Sequence, residues 1–458
     1  MTDTPTKRDI SSPADVRGIQ RRTLAVLSSA QIVGGVGVAV GLALSSVVVD
    51  QLSGSTVISG LAGTATVLGA ALLALPIART AARSGRRAGL SLAYVAATAG
   101  CALSVLAITI ESWPLLLAGL VLVGGGSAGN LAARYSATDL SPKGHAARHL
   151  SLVVWMATVG SVAGPNLAKP ADHVGMSAGL VANAGPFAFS ALAFALAWLV
   201  VAAGLRPDPL KLARSLTEPT ELTDSIERTG QTGRTGRTRR DGQTGHGERA
   251  GPGASGAAGA TPAVQDKALR NGWRTLRTTP MARRALVMIA ISHTAMVSVM
   301  SMTPVKLHHD GSSLDVIGLV ISLHIAGMYM LSPVVGWLAD KAGRVPVLIL
   351  GMSLLLASAV LAGTAQHSVW QVTAGLVLLG LGWSCGLVAG SALVTESVPL
   401  DRRPAVQGLS DLIMNVCGAT GTVVAGAIVG GLSYGVLGLV VGVMVTVAGV
   451  WLYVTTRR

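Results

Sequence analysis

About twelve times in its 458 residues the chain runs for roughly 20 residues with almost no charge, long enough to cross a hydrocarbon layer ~30 Å thick. The runs lie near 23–48, 54–78, 88–110, 114–136, 149–168, 183–204, 285–305, 314–338, 345–363, 368–394, 406–430 and 433–455. They are continuous and rich in Ala, Leu, Val and Gly, whereas the strands of an outer-membrane barrel are short and alternate apolar with polar residues. The runs are therefore read as helices, and the fold class as all-α integral membrane. With half of the residues hydrophobic and 12% charged, a soluble chain of two or three domains is excluded. The first 22 residues are polar and no A-x-A-like site follows the first apolar run, so that run is expected to stay as a span.

The formal charge of +14 invites a nucleic-acid reading until its placement is examined. Of 35 Lys and Arg, all but Lys169 and Lys306 fall in the two tails, in the loops after even-numbered spans or, for Arg134, at the end of the fourth span that leads into such a loop. That asymmetry is the positive-inside bias, which predicts a multi-pass protein of the cytoplasmic (plasma) membrane with both termini in the cytoplasm. The charge is topological, and no nucleic-acid partner is expected. Cys101, Cys385 and Cys417 all sit inside spans without metal-ligand or disulfide spacing, so they read as small packing residues and no metal site is expected.

The chain also repeats. PIARTAARSGRRAGL (76–90) and GWLADKAGRV (336–345) match at a displacement of 258, pairing Arg83 with Lys341, Gly85 with Gly343 and Arg86 with Arg344. GGGSAGNLAARYSATDLSP (124–142) matches LGWSCGLVAGSALVTESVP (381–399) at 257, with Asp139 against Glu396. AARHLS (146–151) matches AVQGLS (405–410) at 259. Three local matches at nearly one displacement divide the chain into two copies of about six helices, an arrangement typical of transporters. The expected organisation is a cytoplasmic tail at 1–22, a six-helix bundle at 23–205, a disordered basic linker at 206–282 and a second bundle with a short tail at 283–458. The linker holds almost no large apolar residue that would offset its ordering entropy, and its basic charge suits a solvated tether or contact with anionic headgroups.

Gly336-Trp337-Leu338-Ala339-Asp340-Lys341-Ala342-Gly343-Arg344 resembles the Gly-x-Leu-Ala-Asp-Arg/Lys-x-Gly-Arg loop of the major facilitator superfamily of secondary transporters. The first-half copy is degenerate, with Ala78 and Ala82 where the pattern has Gly and Asp, followed by Arg83, Gly85 and Arg86. The resemblance in helix count, repeat and central linker covers nearly the whole chain, and it implies twelve transmembrane helices as two pseudo-symmetric six-helix bundles. It further implies that Asp340 faces the start of the fifth helix at 146–151, near Arg148, and helps to hold the cytoplasmic side shut. The mirror contact, lacking an acid at Ala82, should be weak or differently built. GSVAGPNL (160–167), with Gly160, Gly164 and Pro165, resembles the Gly-x-x-x-Gly-Pro motif of exporters in this superfamily, and equally fits ordinary close packing with a proline bend. RRPAVQGLSDLIMN (402–415) resembles the family's Arg-to-Gln-Gly opening of the eleventh helix, where Arg402 and Arg403 are expected to pair with Glu396 and Asp411.

Ionisable groups deep in a span are costly and mark function. No acid lies at the midplane by sequence; Asp411 is one to two turns inside its span. The candidate proton carriers are His324, His293 and Asp411, an imidazole being able to exchange protons near neutral pH, although each histidine also fits a simple hydrogen bond to a facing helix. Arg134 suits either snorkelling to the interface or a role in binding and gating. The family's pathway runs between the halves, which makes Gln31, Asn130, Trp155, Asn166, Tyr329, Trp383 and Asn415 cavity candidates beside the adaptable Met296, Met300, Met328 and Met330. Such a lining suits small, fairly apolar organic molecules.

The resulting expectation is a monomeric secondary transporter that exports such molecules by proton antiport through alternating access. Proton-coupled uptake of a metabolite or sugar is the alternative, and a membrane scaffold or sensor recruiting partners through its linker is a third. No Gly-x-Ser-x-Gly, His-Glu-x-x-His or Gly-x-x-x-x-Gly-Lys-Ser/Thr occurs, so neither an enzyme nor ATP use is expected. The expected partners are substrate, protons and the lipid bilayer, with no bound cofactor.

Overall fold

The computed structural model describes residues 13–55, 58, 61–217 and 272–457, and their regular structure is helical throughout. The first bundle consists of α1 (Pro13–Ala43) continued by α2 (Ser45–Ser53), α3 (Leu61–Ser84), α4 (Arg86–Thr109), α5 (Trp113–Ser136), α6 (Ala146–Ser177) and α7 (Gly185–Gly204). The second consists of α8 (Pro280–His309), α9 (Leu314–Tyr329) continued by α10 (Ser332–Ala342), α11 (Arg344–Thr364), α12 (Val369–Ser397), α13 (Arg403–Gly431) and α14 (Tyr434–Arg457). Among the described residues, eleven helices are long and apolar enough to cross a membrane. The 32-residue α6 stands where the sequence places the fifth span.

The repeat is visible in backbone geometry. Gly85, between α3 and α4, has φ 94° and ψ 169°, and Gly343, between α10 and α11, has φ 98° and ψ 161°. That region is essentially closed to residues with a Cβ, so the same sharp turn needs glycine in both copies. The break between α9 and α10 also has a local cause. Pro333 has no N–H to offer the carbonyl of Tyr329, and the Ser332 hydroxyl takes that role, donating to Tyr329 O at 2.7 Å.

Within the first bundle, α1 packs against α6 and α7, and α5 against α3 and α4. A Cβ on Gly160 would come to 2.5 Å from the Gly35 carbonyl carbon, so Gly160, followed one turn later by Gly164 against Ala39, brings α6 hard against α1. The two bundles meet where α3 packs on α13 and α6 packs on α9, α10 and α12. Ala147, Leu150 and Val154 of α6 are buried in the core of the second bundle.

Two expected boundaries shift. α1 begins at Pro13, inside the stretch expected as a polar tail, because buried Gln20 donates to Ala137 O at 2.7 Å and so anchors that turn to the bundle. The expected linker is helical at 209–217 and 272–278, where Leu210, Leu212 and Leu276 are buried. These sparse leucines bury enough apolar surface to order short helices in an otherwise polar stretch. Residues 1–12 and 218–271 lie outside the described residues.

Candidate gate and substrate pathway

Loops around Arg86, Lys143, Arg344 and Arg403 gather at one end of the molecule, here termed the basic face. Corresponding residues of the two copies form corresponding ion pairs there. In the first bundle Arg86 grips Asp139 with the Nε–Nη2 edge of its guanidinium, Nε to Oδ2 at 2.7 Å and Nη2 to Oδ1 at 3.0 Å. In the second, Arg344 grips Glu396 in the same way, at 3.1 and 2.6 Å. Each pair ties the turn between the second and third passages to the end of the fourth, a two-point attachment that fixes orientation as well as charge.

Across the seam the two copies differ. Asp340, also paired with Arg344 at 2.8 Å, accepts hydrogen bonds from the backbone N–H groups of Ala147 at 3.2 Å and Arg148 at 3.0 Å. Its carboxylate thus satisfies amides at the positive N-terminal end of α6. At the mirror position Ala82 has no carboxylate to offer. Instead Arg86 reaches over, its Nη2 donating to Gln407 Oε1 at 2.6 Å, while Gln407 Nε2 donates to Thr395 Oγ1 at 3.1 Å. Gln407 aligns with Arg148 in the repeat, so both copies close the seam at the same place with different chemistry. Gly336 lies against Ala147 and Ser151, and Gly408 lies against Ala74 and Ala78. Arg83 and Lys341 stay exposed, Lys341 lying 4.9 Å over the Trp337 ring.

Deeper in the seam, Arg134 of α5 is 1% exposed and pairs with Asp411 of α13 at 2.7 Å. Arg134 Nε also donates to Ser391 Oγ at 3.2 Å, and Tyr135 donates to Ser410 at 3.4 Å. Arg134 and Ser391 correspond at the displacement of 257, and their contact puts them on the pseudo-two-fold axis. Asp411 is eight residues into α13, about 12 Å from its start at 1.5 Å per residue. Further along the seam, Trp383 Nε1 donates to His293 Nδ1 at 3.1 Å, and the Tyr329 ring meets Trp383 edge-on with centroids 5.6 Å apart. His293 and Trp383 each lie about 20 Å from the basic-face ends of their helices. The arrangement is a mostly apolar, aromatic centre resting on a buried ion pair that bridges the bundles.

The sequence model of the Major Facilitator Superfamily matches residues 26–312 and a second time residues 285–458. The chain belongs to the major facilitator superfamily. It is 35% identical over 436 residues to the MFS-type transporter YdeG of Bacillus subtilis (strain 168), covering 95% of this chain and 92% of that one. Among solved structures it shares its fold with the proton:xylose symporter XylE, with a TM-score of 0.68, 14% identity and coverage of 95% and 96%. The human organic anion transporter MFSD10 (TETRAN) matches with a TM-score of 0.66, 16% identity and coverage of 96% and 100%. Like other members of the superfamily, the chain is a membrane transporter of small molecules and not an enzyme.

The structure narrows the alternatives left open for several sequence candidates and moves others. Arg134 does not snorkel, because Asp411 and Ser391 satisfy it inside the seam. Arg402 and Arg403 do not pair with Glu396 and Asp411, whose carboxylates are held by Arg344 and Arg134. Arg402 instead lies 3.6 Å from Asp401, and Arg403 donates to Val398 O at 3.1 Å. His324 packs within the second bundle, its Nδ1 2.8 Å from Leu376 O, away from the cross-seam network. Asn130 accepts from Tyr94 at 3.2 Å inside the first bundle, and Gln31 is buried there with Oε1 unpartnered. Asn415 caps the carbonyl of Asp411 at 2.8 Å, and Trp155 is 39% exposed. The side chains of Pro165 and Asn166 lie outside the described residues. The matched Asp139 and Glu396 were a signal in the repeat for the acid–arginine pairs, whereas nothing local in sequence linked residues 134 and 411.

Proposed function

We propose that the chain is a secondary exporter of small, fairly apolar organic molecules, driven by proton antiport and without ATP. The observation that carries this reading is the buried Arg134–Asp411 pair, an ion pair between the bundles beneath an aromatic centre. Asp411 is the carrier of the coupling proton. When ionised it neutralises Arg134 and favours the seam shut at the basic face. When it takes a proton from the opposite side, Arg134 loses its counter-charge in a low-dielectric seam, and opening to water on the basic face becomes the way to satisfy it. Proton release there restores the pair, and closure then carries substrate outward. The placement of Lys and Arg supports reading the basic face as cytoplasmic, with both termini inside, and the proposal takes the protein to be a monomer of the plasma membrane.

The test pairs a growth-inhibition panel, run on cells with and without the protein, with inverted vesicles to which substrates from that panel are added outside. Export predicts that substrate uptake into inverted vesicles dissipates an imposed proton gradient, that Asp411→Asn abolishes this coupling and that His324→Ala preserves it. Substrate moving in the same direction as protons, or full coupling in Asp411→Asn, would refute the proposal.

A further inference from the structure

We propose that Arg79, Arg83 and Arg214, at the basic face of the first bundle, hold the phosphate of an anionic phospholipid. This cluster has no part in the gate, yet it contains unmet demand for an anion. Nε and Nη2 of Arg79 and Nε of Arg214 are shielded from solvent and have no hydrogen-bond partner. The Nε–Nη2 edge of a guanidinium is the fork that takes two phosphate oxygens at once. Arg83 follows Arg79 at i+4 on α3, a like-charge spacing that opposes the helix unless an anion sits between them. Arg214 is held in range by its Nη1, which donates to Ala82 O at 2.9 Å, and by the buried Leu212 and Ala213 beside it. The neighbouring carboxylate, Asp208, is committed elsewhere. It accepts from the backbone N–H groups of Arg87 at 2.8 Å, Leu210 at 3.1 Å and Lys211 at 3.2 Å.

The surface above the cluster identifies the source of the phosphate. Leu68 and Leu72 are 51% and 52% exposed, and positions 68, 72, 79 and 83 form one stripe along α3 at helical spacing. Seven residues separate Leu72 from Arg79, about 10 Å along the axis. A phospholipid on this stripe lays its acyl chains over the leucines and brings its phosphate to the arginines, at the depth where headgroups of that leaflet lie. A soluble phosphate would use only the arginines and leave the leucine stripe without a role.

The experiment titrates dioleoylphosphatidylglycerol into the purified full chain in neutral detergent, reading bound lipid by native mass spectrometry and the thermal unfolding midpoint in parallel. Dioleoylphosphatidylcholine and soluble glycerol 3-phosphate are the comparison ligands. Phosphatidylglycerol is expected to bind and to raise the midpoint, with affinity falling roughly fivefold in Arg79→Gln and roughly 30-fold in Arg79→Gln/Arg214→Gln, following the usual worth of each basic residue at an anionic surface. Arg79→Lys, which keeps the charge and loses the fork, is expected to fold as the parent does and to bind several-fold more weakly. Undiminished affinity in the folded variants would overturn the site, and equal protection by glycerol 3-phosphate would overturn the lipid as its occupant.

Discussion

Replacing Asp411 by Asn removes the carboxylate from a cross-seam pair while leaving a side chain of the same shape. In the closed seam the Arg134 guanidinium is then buried at 1% exposure with its Nη1 already lacking a partner and its counter-charge gone. Removing one partner of a buried pair costs about 3–5 kcal/mol, and the Asn oxygen, still able to accept from Nη2, favours the lower end of that range. The penalty applies only while the seam is shut, because an opened seam hydrates the arginine. The closed-to-open equilibrium should therefore move toward open by roughly 100-fold or more, at about 1.4 kcal/mol per factor of ten. Ser410, buried at 1% beside the pair, is the reporter. With Cys101, Cys385 and Cys417 changed to Ser, Ser410→Cys should react slowly with a membrane-impermeant maleimide in inverted vesicles. Adding Asp411→Asn should accelerate that reaction by roughly the shift in equilibrium, and Arg134→Met/Asp411→Leu, which removes both charges, should slow it again. An unchanged rate in Asp411→Asn, or a double variant as reactive as the single, would refute the claim that this pair sets closure.

Asp340→Asn, which weakens the hydrogen bonds to Ala147 and Arg148 and removes a partner of Arg344, should lower transport about tenfold with membrane expression intact, as measured by substrate flux normalised to protein in vesicles. A Cβ on Gly336 would stand 2.7 Å from Ala147 O, so Gly336→Val should hold the seam apart, raising maleimide labelling at Ser410→Cys and stopping turnover. His324→Ala removes the partner of Leu376 O and leaves a void, so it should lower the thermal midpoint by several degrees while substrate-coupled proton movement persists, read by a pH-sensitive dye.

The architecture was legible because its causes are local. Apolar runs of membrane length, the glycine turns at Gly85 and Gly343 and the one-sided placement of Lys and Arg are all written in contiguous stretches, and the repeat needed only three short matches. The expected meeting of Asp340 with the start of α6 was legible for a related reason, since the loop motif carries its geometry with it. The seam was not legible. Residues 134 and 411 are 277 apart and meet only when both bundles are complete, so burial turned an arginine that suited the interface into half of an internal ion pair. The ends of the linker were misread because ordering there depends on a handful of leucines finding the bundle surface, a tertiary effect that composition averages away.

The asymmetry of the basic face follows from the same duplication. Each copy has one turn, one arginine and one acid at the end of the fourth passage, joined as the pairs Arg86–Asp139 and Arg344–Glu396. Only the second copy has the acid, Asp340, that reaches across the seam. Where the first copy has Ala82, Arg86 donates to Gln407 from Nη2, the nitrogen that also holds Asp139, whereas the corresponding arginine, Arg344, holds Asp340 through Nη1. One side of the gate therefore closes through a carboxylate on helix amides and the other through a neutral side chain on a guanidinium. Both contacts are charge-assisted, but Asp340 makes two such bonds to the α6 amides and Arg86 makes one to Gln407, so the α3–α13 side has the fewer to break. Opening should then begin at the α3–α13 contact, next to Asp411, where loss of one charge already loosens the seam.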